Sequence, residues 1–235
     1  MAKELLKMEG ITKIYGNGFM ANKNITFTVN EGEIHALIGE NGAGKTTLMK
    51  ILFGLESCQE GKIYLNGQET HIENPLDAIA KGVGMVHQHF MLVPNLSVAE
   101  NVVLGIEPGP GQIFDKKTAV RMTEEASEKF QLKVDPNALV RDISVGLKQK
   151  VELLKALIRG AKVLILDEPT AVLTPQEVRE LFVQLKSLKE SGYGIIFISH
   201  KLDEVMELCD SATILRHGRV TGFVKKEEMN EVVLS

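Results

Sequence analysis

Five short stretches carry side chains that could do phosphate chemistry. The first, GENGAGKT at 39–46, fits the spacing G-x-x-x-x-G-K-[ST] and lies between a strand-like run and a helical one. Gly39, Gly42 and Gly44 let a backbone turn tightly and aim its N–H groups inward at phosphate oxygens, with Asn41 and Ala43 in the same loop. Lys45 supplies a point charge suited to β and γ phosphates. Thr46 offers a hydroxyl to Mg²⁺, and Thr47 can reach a further phosphate. A glycine-rich turn that happens to contain GKT is the plain alternative, and the strand–loop–helix setting argues against it.

The second stretch is VLILDEP at 163–169, an apolar strand ending in two acids. Asp167 suits the hydration shell of Mg²⁺, and Glu168 suits the orientation and deprotonation of an attacking water. Taken alone, the pair could be a solvated strand end. Gln88 and His200 each follow the same kind of apolar run, and the C-terminal ends of parallel strands converge on one crevice. Gln88 could then touch Mg²⁺ and the water, and His200 the γ phosphate. By itself His200 could equally be a capping or core histidine. His87 and His89 flank Gln88, but they lack the companion Cys or carboxylate cluster that a metal site needs.

The fifth stretch, ISVGLKQKVE at 143–152, starts a helix. Ser144 is a good N-cap, although Leu147 stands where a capping box would have Glu or Gln. A small hydroxyl and Gly146 at a helix mouth are suited to meeting an anion.

These residues need elements to carry them. Strand patterns fall on LKMEGITKIY, NITFTVNEG, EIHALIG (33–39), KIYLNGQET (62–70) with a hairpin turn at Asn66-Gly67, and VGMVHQ (83–88). From about 89 the patterning turns helical through SVAENVVLGI, DKKTAVRMTEEASEKFQL and VGLKQKVELLKALIRG, with a loop at 107–112. Strands return at KVLILDE (162–168), GYGIIFISH (192–200) and DSATILRHGRVTGFV, separated by helices starting near Thr174-Pro175 and Leu202. Buried strands alternating with helices predict an α/β fold with a mostly parallel sheet, helices on both faces and an inserted helical lobe at 89–160.

The 235 residues suffice for one large domain with an inserted lobe. A net charge of −4 leaves no basic footprint for a nucleic-acid duplex. The two cysteines, Cys58 and Cys209, have no metal-like spacing and read as free thiols of a reducing cytosol. No apolar run is long enough to span a bilayer, so a transport role requires a separate membrane subunit.

In order, GENGAGKTT, Gln88, SVGLKQ, LILDEPT and ISH resemble the ATPase subunit of an ABC transporter over nearly the whole chain. The resemblance implies a P-loop NTPase fold with a RecA-like core and an antiparallel β edge. The core is expected from 1–88 and 161–235, and the signature-bearing helical lobe from 89–160. The resemblance also implies ATP and Mg²⁺ as cofactors, Tyr15 stacked on adenine, and catalysis by Glu168, His200, Gln88 and Lys45. The mouth at Ser144 and Gly146 would close on the γ phosphate held by a facing subunit.

Two departures stand out. Val145 and Leu147 replace a glycine and a glutamine of the usual LSGGQ pattern, and Thr174 stands where an Asp is usual. Both resemble the N-terminal half of tandem ATPases in importers of simple sugars and nucleosides. The implied partners are a second nucleotide-binding domain, membrane permease subunits and, indirectly, a substrate-binding protein, with no nucleic acid. The implied location is the cytoplasmic face of the membrane. A soluble ABC ATPase acting on nucleic acid or the ribosome, and a regulatory half of low turnover, are the alternatives.

Overall fold

The computed structural model describes residues 3–109 and 114–234. Two long strands, β1 (Glu4–Ile14) and β2 (Met20–Asn30), pair antiparallel, and β3 (Ile34–Ile38) leads through the glycine loop into α1 (Lys45–Leu52). β4 (Glu60–Leu65) and β5 (Gln68–Thr70) follow. They turn about Asn66 and Gly67 at φ 52° and 77°, the left-handed pair that an Asn-Gly hairpin adopts. α2 (Pro75–Ala80) was not legible in the apolar pattern. It is set by its cap, the Asn74 side chain accepting from the Asp77 N–H, with Pro75 opening the helix.

β6 (Val83–Val86) precedes α3 (Val98–Val103), α4 (Lys116–Lys129) and α5 (Val145–Ile158). Among the described residues no strand interrupts these three helices before β7 (Val163–Asp167). The expected loop at 107–112 is irregular through Gly109, and its remainder lies outside the described residues. The chain ends with α6 (Pro175–Glu190), β8 (Gly194–Ile198), α7 (Leu202–Leu208), β9 (Ser211–Arg216), β10 (Arg219–Lys225) and α8 (Glu231–Leu234). DSATILRHGRVTGFV is therefore two strands. His217 and Gly218, at φ 47° and 71°, fold it back on itself.

The larger sheet has the order β10-β9-β3-β8-β7-β6, parallel throughout except for the β10 edge, and the smaller antiparallel sheet runs β2-β1-β4-β5. Strand side chains alternate between faces. Leu164, Leu166, Ile195 and Phe197 pack with α5, α6 and α7, whereas Ile165, Ile196 and Ile198 pack with α1 and the smaller sheet. Each such buried side chain contributes roughly 1.5–3 kcal/mol. Both faces are covered, as an apolar parallel sheet requires. No described helix is long and apolar enough to cross a membrane.

Glu33 ties the start of β3 to its neighbours. Its Oε2 accepts from the Asn30 backbone N–H at 2.8 Å and the Asn30 side chain at 2.7 Å, Ser211 donates to Oε1, and His35 Nδ1 lies 3.2 Å from Oε1. Burial alone would raise this carboxyl, but the His35, Ser211 and Asn30 contacts outweigh it and hold the pKa near about 2 against 4.5. A depressed folded-state pKa gives stability that is present above pH 4.5 and is lost as pH falls through 2. Urea unfolding should find Glu33→Gln less stable by about 2–3 kcal/mol at pH 7. The gap should close as the pH is lowered from 4.5 towards 2. Equal stabilities at pH 7 would show that the carboxylate contributes nothing there.

Candidate functional site

Because β3, β7 and β8 are parallel, their C-terminal ends meet at one edge of the sheet. A cavity of about 650 Å³ opens there, lined by the loop 39–47 together with Gln88, Asp167, Glu168 and His200. Gly44 caps α1 in the left-handed region (φ 102°), and no side chain caps the helix, so its first N–H groups face the cavity without a protein carboxylate. A Cβ at Gly44 would lie 2.4 Å from the Ala21 carbonyl oxygen, so glycine is obligatory. Asn22, fully buried, donates to the Gly44 carbonyl at 3.0 Å and fixes the loop from behind.

Lys45 is buried, and its Nζ donates to the carbonyls of Gly39 and Glu40, the latter at 3.0 Å. Burial lowers its pKa, while Glu168 and Asp167 oppose that shift. Asp167 ends β7, and burial, then the neighbouring Glu168, raise its carboxyl above the ordinary range. Glu168 holds a left-handed backbone (φ 47°), uncommon for a residue with a Cβ and costing of order 1–2 kcal/mol. Its N–H bonds the Ile198 carbonyl at 3.0 Å, which holds that conformation. The result is a carboxylate turned towards His200, with His200 Nδ1 2.9 Å from Glu168 Oε1.

The loops after β7 and β8 are latched together behind this pair. Glu204 accepts from the Thr170 hydroxyl at 2.6 Å and pairs with Lys201 at 2.9 Å. Gln88 is exposed two residues past β6. His87 points elsewhere, with its ring edge-on to Phe53 at 6.1 Å between centroids. The described residues hold no group of three or more His, Cys, Asp or Glu placed to bind a metal.

Tyr15 does not line the cavity; its hydroxyl lies 3.3 Å from Thr47 Oγ1 and Lys13 sits over its ring at 5.2 Å. Phe19, 55% exposed, does line it. Sequence reasoning passed over Phe19. The available signal was a second aromatic in the glycine-broken run YGNGF, which leaves it with no sheet to pack into.

Ser144 and Gly146 lie outside this cavity. Ser144 caps α5 as expected, accepting from the Leu147 N–H at 3.2 Å, and no capping box forms. Gly146 instead donates to a carboxylate of α6, Glu177, a contact that no local pattern disclosed.

The ABC transporter family profile matches residues 22–171. Over 220 residues the chain is 50% identical to the nucleoside import ATP-binding protein NupA of Lactococcus lactis subsp. cremoris (strain MG1363), covering 93% of this chain and 43% of that protein. It is 49% identical over 215 residues to the guanosine import ATP-binding protein NupO of Bacillus subtilis (strain 168), covering 92% and 42%. The chain thus spans less than half the length of these curated relatives. Among solved structures, an ATP-binding cassette of an ABC transporter in its ADP conformation aligns with a TM-score of 0.85 at 25% identity, over 96% of this chain and 92% of that one. A dimeric cassette bound to ADP and Pi aligns with a TM-score of 0.78 at 25% identity, over 94% and 99%.

Proposed function

This chain belongs to the ABC transporter family, and from that premise we propose that it hydrolyses ATP to power an importer of nucleosides or simple sugars. The observation that carries the chemistry is the convergence of the glycine loop with Gln88, Asp167, Glu168 and His200 in one cavity. The donors suit a magnesium nucleotide. The uncapped N-terminus of α1 and the Lys45 ammonium match polyphosphate, and Thr46, Asp167 and Gln88 offer the hard oxygen ligands that Mg²⁺ takes directly or through water. Bound there, the metal would supply positive charge that offsets the charge of the phosphate groups.

Backbone N–H groups from Gly39, Asn41, Gly42, Ala43 and Gly44 cradle the phosphates, with Lys45 and Thr47 adding charge and a hydroxyl. Gln88 orients the water. Glu168 takes its proton, and its hydrogen bond to His200 Nδ1 leaves Nε2 as the nitrogen that meets the γ phosphate. In this reading 1–88 and 161–235 form the nucleotide-binding core and 89–160 the signature-bearing lobe. Ser144 and Gly146 face the nucleotide of a second nucleotide-binding domain, either another copy or the other half of a longer chain. Closure of the two domains drives permease subunits in the membrane, fed by a substrate-binding protein, with this chain peripheral on the cytoplasmic face.

Two measurements test the reading. Purified protein should bind and hydrolyse Mg-ATP, and failure of both would sink it. With its permease in vesicles, ATP should drive uptake of labelled nucleoside or simple sugar, and uptake of neither class would remove the assignment of substrate.

In this reading the adenine lies against Phe19, which lines the cavity, with Tyr15 nearby, its hydroxyl 3.3 Å from Thr47 Oγ1. Phe19→Ala should weaken ATP binding about 2–10-fold while leaving turnover at saturation unchanged, on the scale of one aromatic stacking contact. Unaltered affinity in a titration would show that Phe19 does not touch the base.

A further inference from the structure

The mouth of α5 is filled from within the chain. Glu177 Oε1 accepts from the Gly146 N–H at 2.9 Å, while its Oε2 accepts from the Thr174 N–H at 2.9 Å and the Thr174 hydroxyl at 3.0 Å. One carboxylate therefore serves two helix N-termini. Gly146 is what admits it: a Cβ there would lie 2.6 Å from Glu177 Oε1 and 2.8 Å from its Cγ. One turn further along α5, Lys150 pairs with Glu180 at 3.1 Å, so the two helices are joined at successive turns.

The seam between the two helices is also short of hydrogen bonds. Gln149, 2% exposed, and Gln184 line the same small void as Gly146 and Glu177, and Gln149 Nε2 and Gln184 Oε1 each have no hydrogen-bond partner among the described residues. A buried donor and a buried acceptor left unmatched weaken the joint that holds Glu177 against α5. The Thr174 and Gly146 N–H groups hold the Glu177 carboxyl below its ordinary range, so the anion persists at neutral pH.

We propose that Glu177 is an internal stand-in for the partner's γ phosphate, an autoinhibitory contact that ATP-driven closure must displace. The inference rests on the proposed role of Ser144 and Gly146 at a facing nucleotide. A single N–H cannot serve both anions, and two anions at one helix mouth repel. Release is local. The capping box of Thr174 and Glu177 uses Oε2 and the backbone of α6, so that helix keeps its cap when Oε1 lets go. Closure then has a threshold set within each chain, over and above the affinity of the cradle for ATP.

The test compares ATP-driven pairing by light scattering in Glu168→Gln and in Glu168→Gln/Glu177→Gln, with Mg-ATP binding measured on both. Gln at 177 preserves the capping box but carries no charge, and Glu177→Ala in the same background is the second variant. The double variants should pair at a roughly tenfold lower Mg-ATP or protein concentration. A structural clamp would instead make them pair less well. Pairing that is unchanged, weaker or absent in all three chains, with Mg-ATP bound, overturns the inference alone. Absence of Mg-ATP binding in the Glu168→Gln chain overturns the nucleotide reading, and the inference falls with it.

Discussion

Glu168→Gln is expected to leave Mg-ATP bound and to slow its hydrolysis about 10²–10⁴-fold, the contribution of a positioned general base. The substitution isolates basicity from shape. The amide oxygen can still accept from His200 Nδ1 at the 2.9 Å seen for Oε1, and the left-handed backbone at φ 47° with its bond to Ile198 is untouched by a change at the end of the side chain. What is lost is the ability to take a proton from water. The same change removes the second of two influences that raise the Asp167 carboxyl, after burial, so that carboxylate becomes easier to ionise. Binding should therefore be preserved or improved while turnover collapses. Single-turnover hydrolysis beside equilibrium nucleotide binding separates the two. Near-normal turnover would remove Glu168 as the base, and lost binding would place it in the cradle instead.

The two acids and the glycine loop were legible in the sequence because their geometry is local. A strand that ends, a tight turn and a helix that begins fix where backbone N–H groups point, so GENGAGKT and VLILDEP identify themselves within eight residues. The parallel sheet was legible for the same reason: runs such as VLIL and GIIFI are apolar on both faces and can only be buried. What escaped depends on contacts across the chain. The 31-residue step from Gly146 to Glu177 leaves no periodic trace, and Glu177 by itself reads only as the third residue of a helix start. Phe19 looks like a strand residue, yet the glycines around it leave it lining the cavity. α2 is six residues long, too short for a periodic signal, and declares itself only by Asn74-Pro75. The β9–β10 turn was hidden because His217 occupies a left-handed position where Gly or Asn is the usual flag.

Lys45→Met should abolish useful nucleotide binding, weakening it about 10²–10³-fold, because it removes a buried cation lining the cavity that, in the proposed reading, makes two charge-assisted contacts to phosphate. The structure adds a reason beyond charge. Lys45 is 7% exposed, and its ammonium donates to the carbonyls of Gly39 and Glu40 and lies in the field of Asp167 and Glu168. Methionine of similar length fills the space but leaves those carbonyls without that donor and the two carboxylates without their counter-charge. The loop should then lose about 1–3 kcal/mol of stability as well as affinity. Lys45→Arg keeps the charge, yet a planar fork cannot follow a point donor into a site closed by Gly39 and Gly44, so rescue should be poor. Titration calorimetry with Mg-ATP and thermal unfolding, run on both variants, check this. If Lys45→Met binds within tenfold of the parent, the phosphates do not sit over α1. If only the arginine variant recovers binding, charge alone suffices and the close fit of the loop is not what selects lysine.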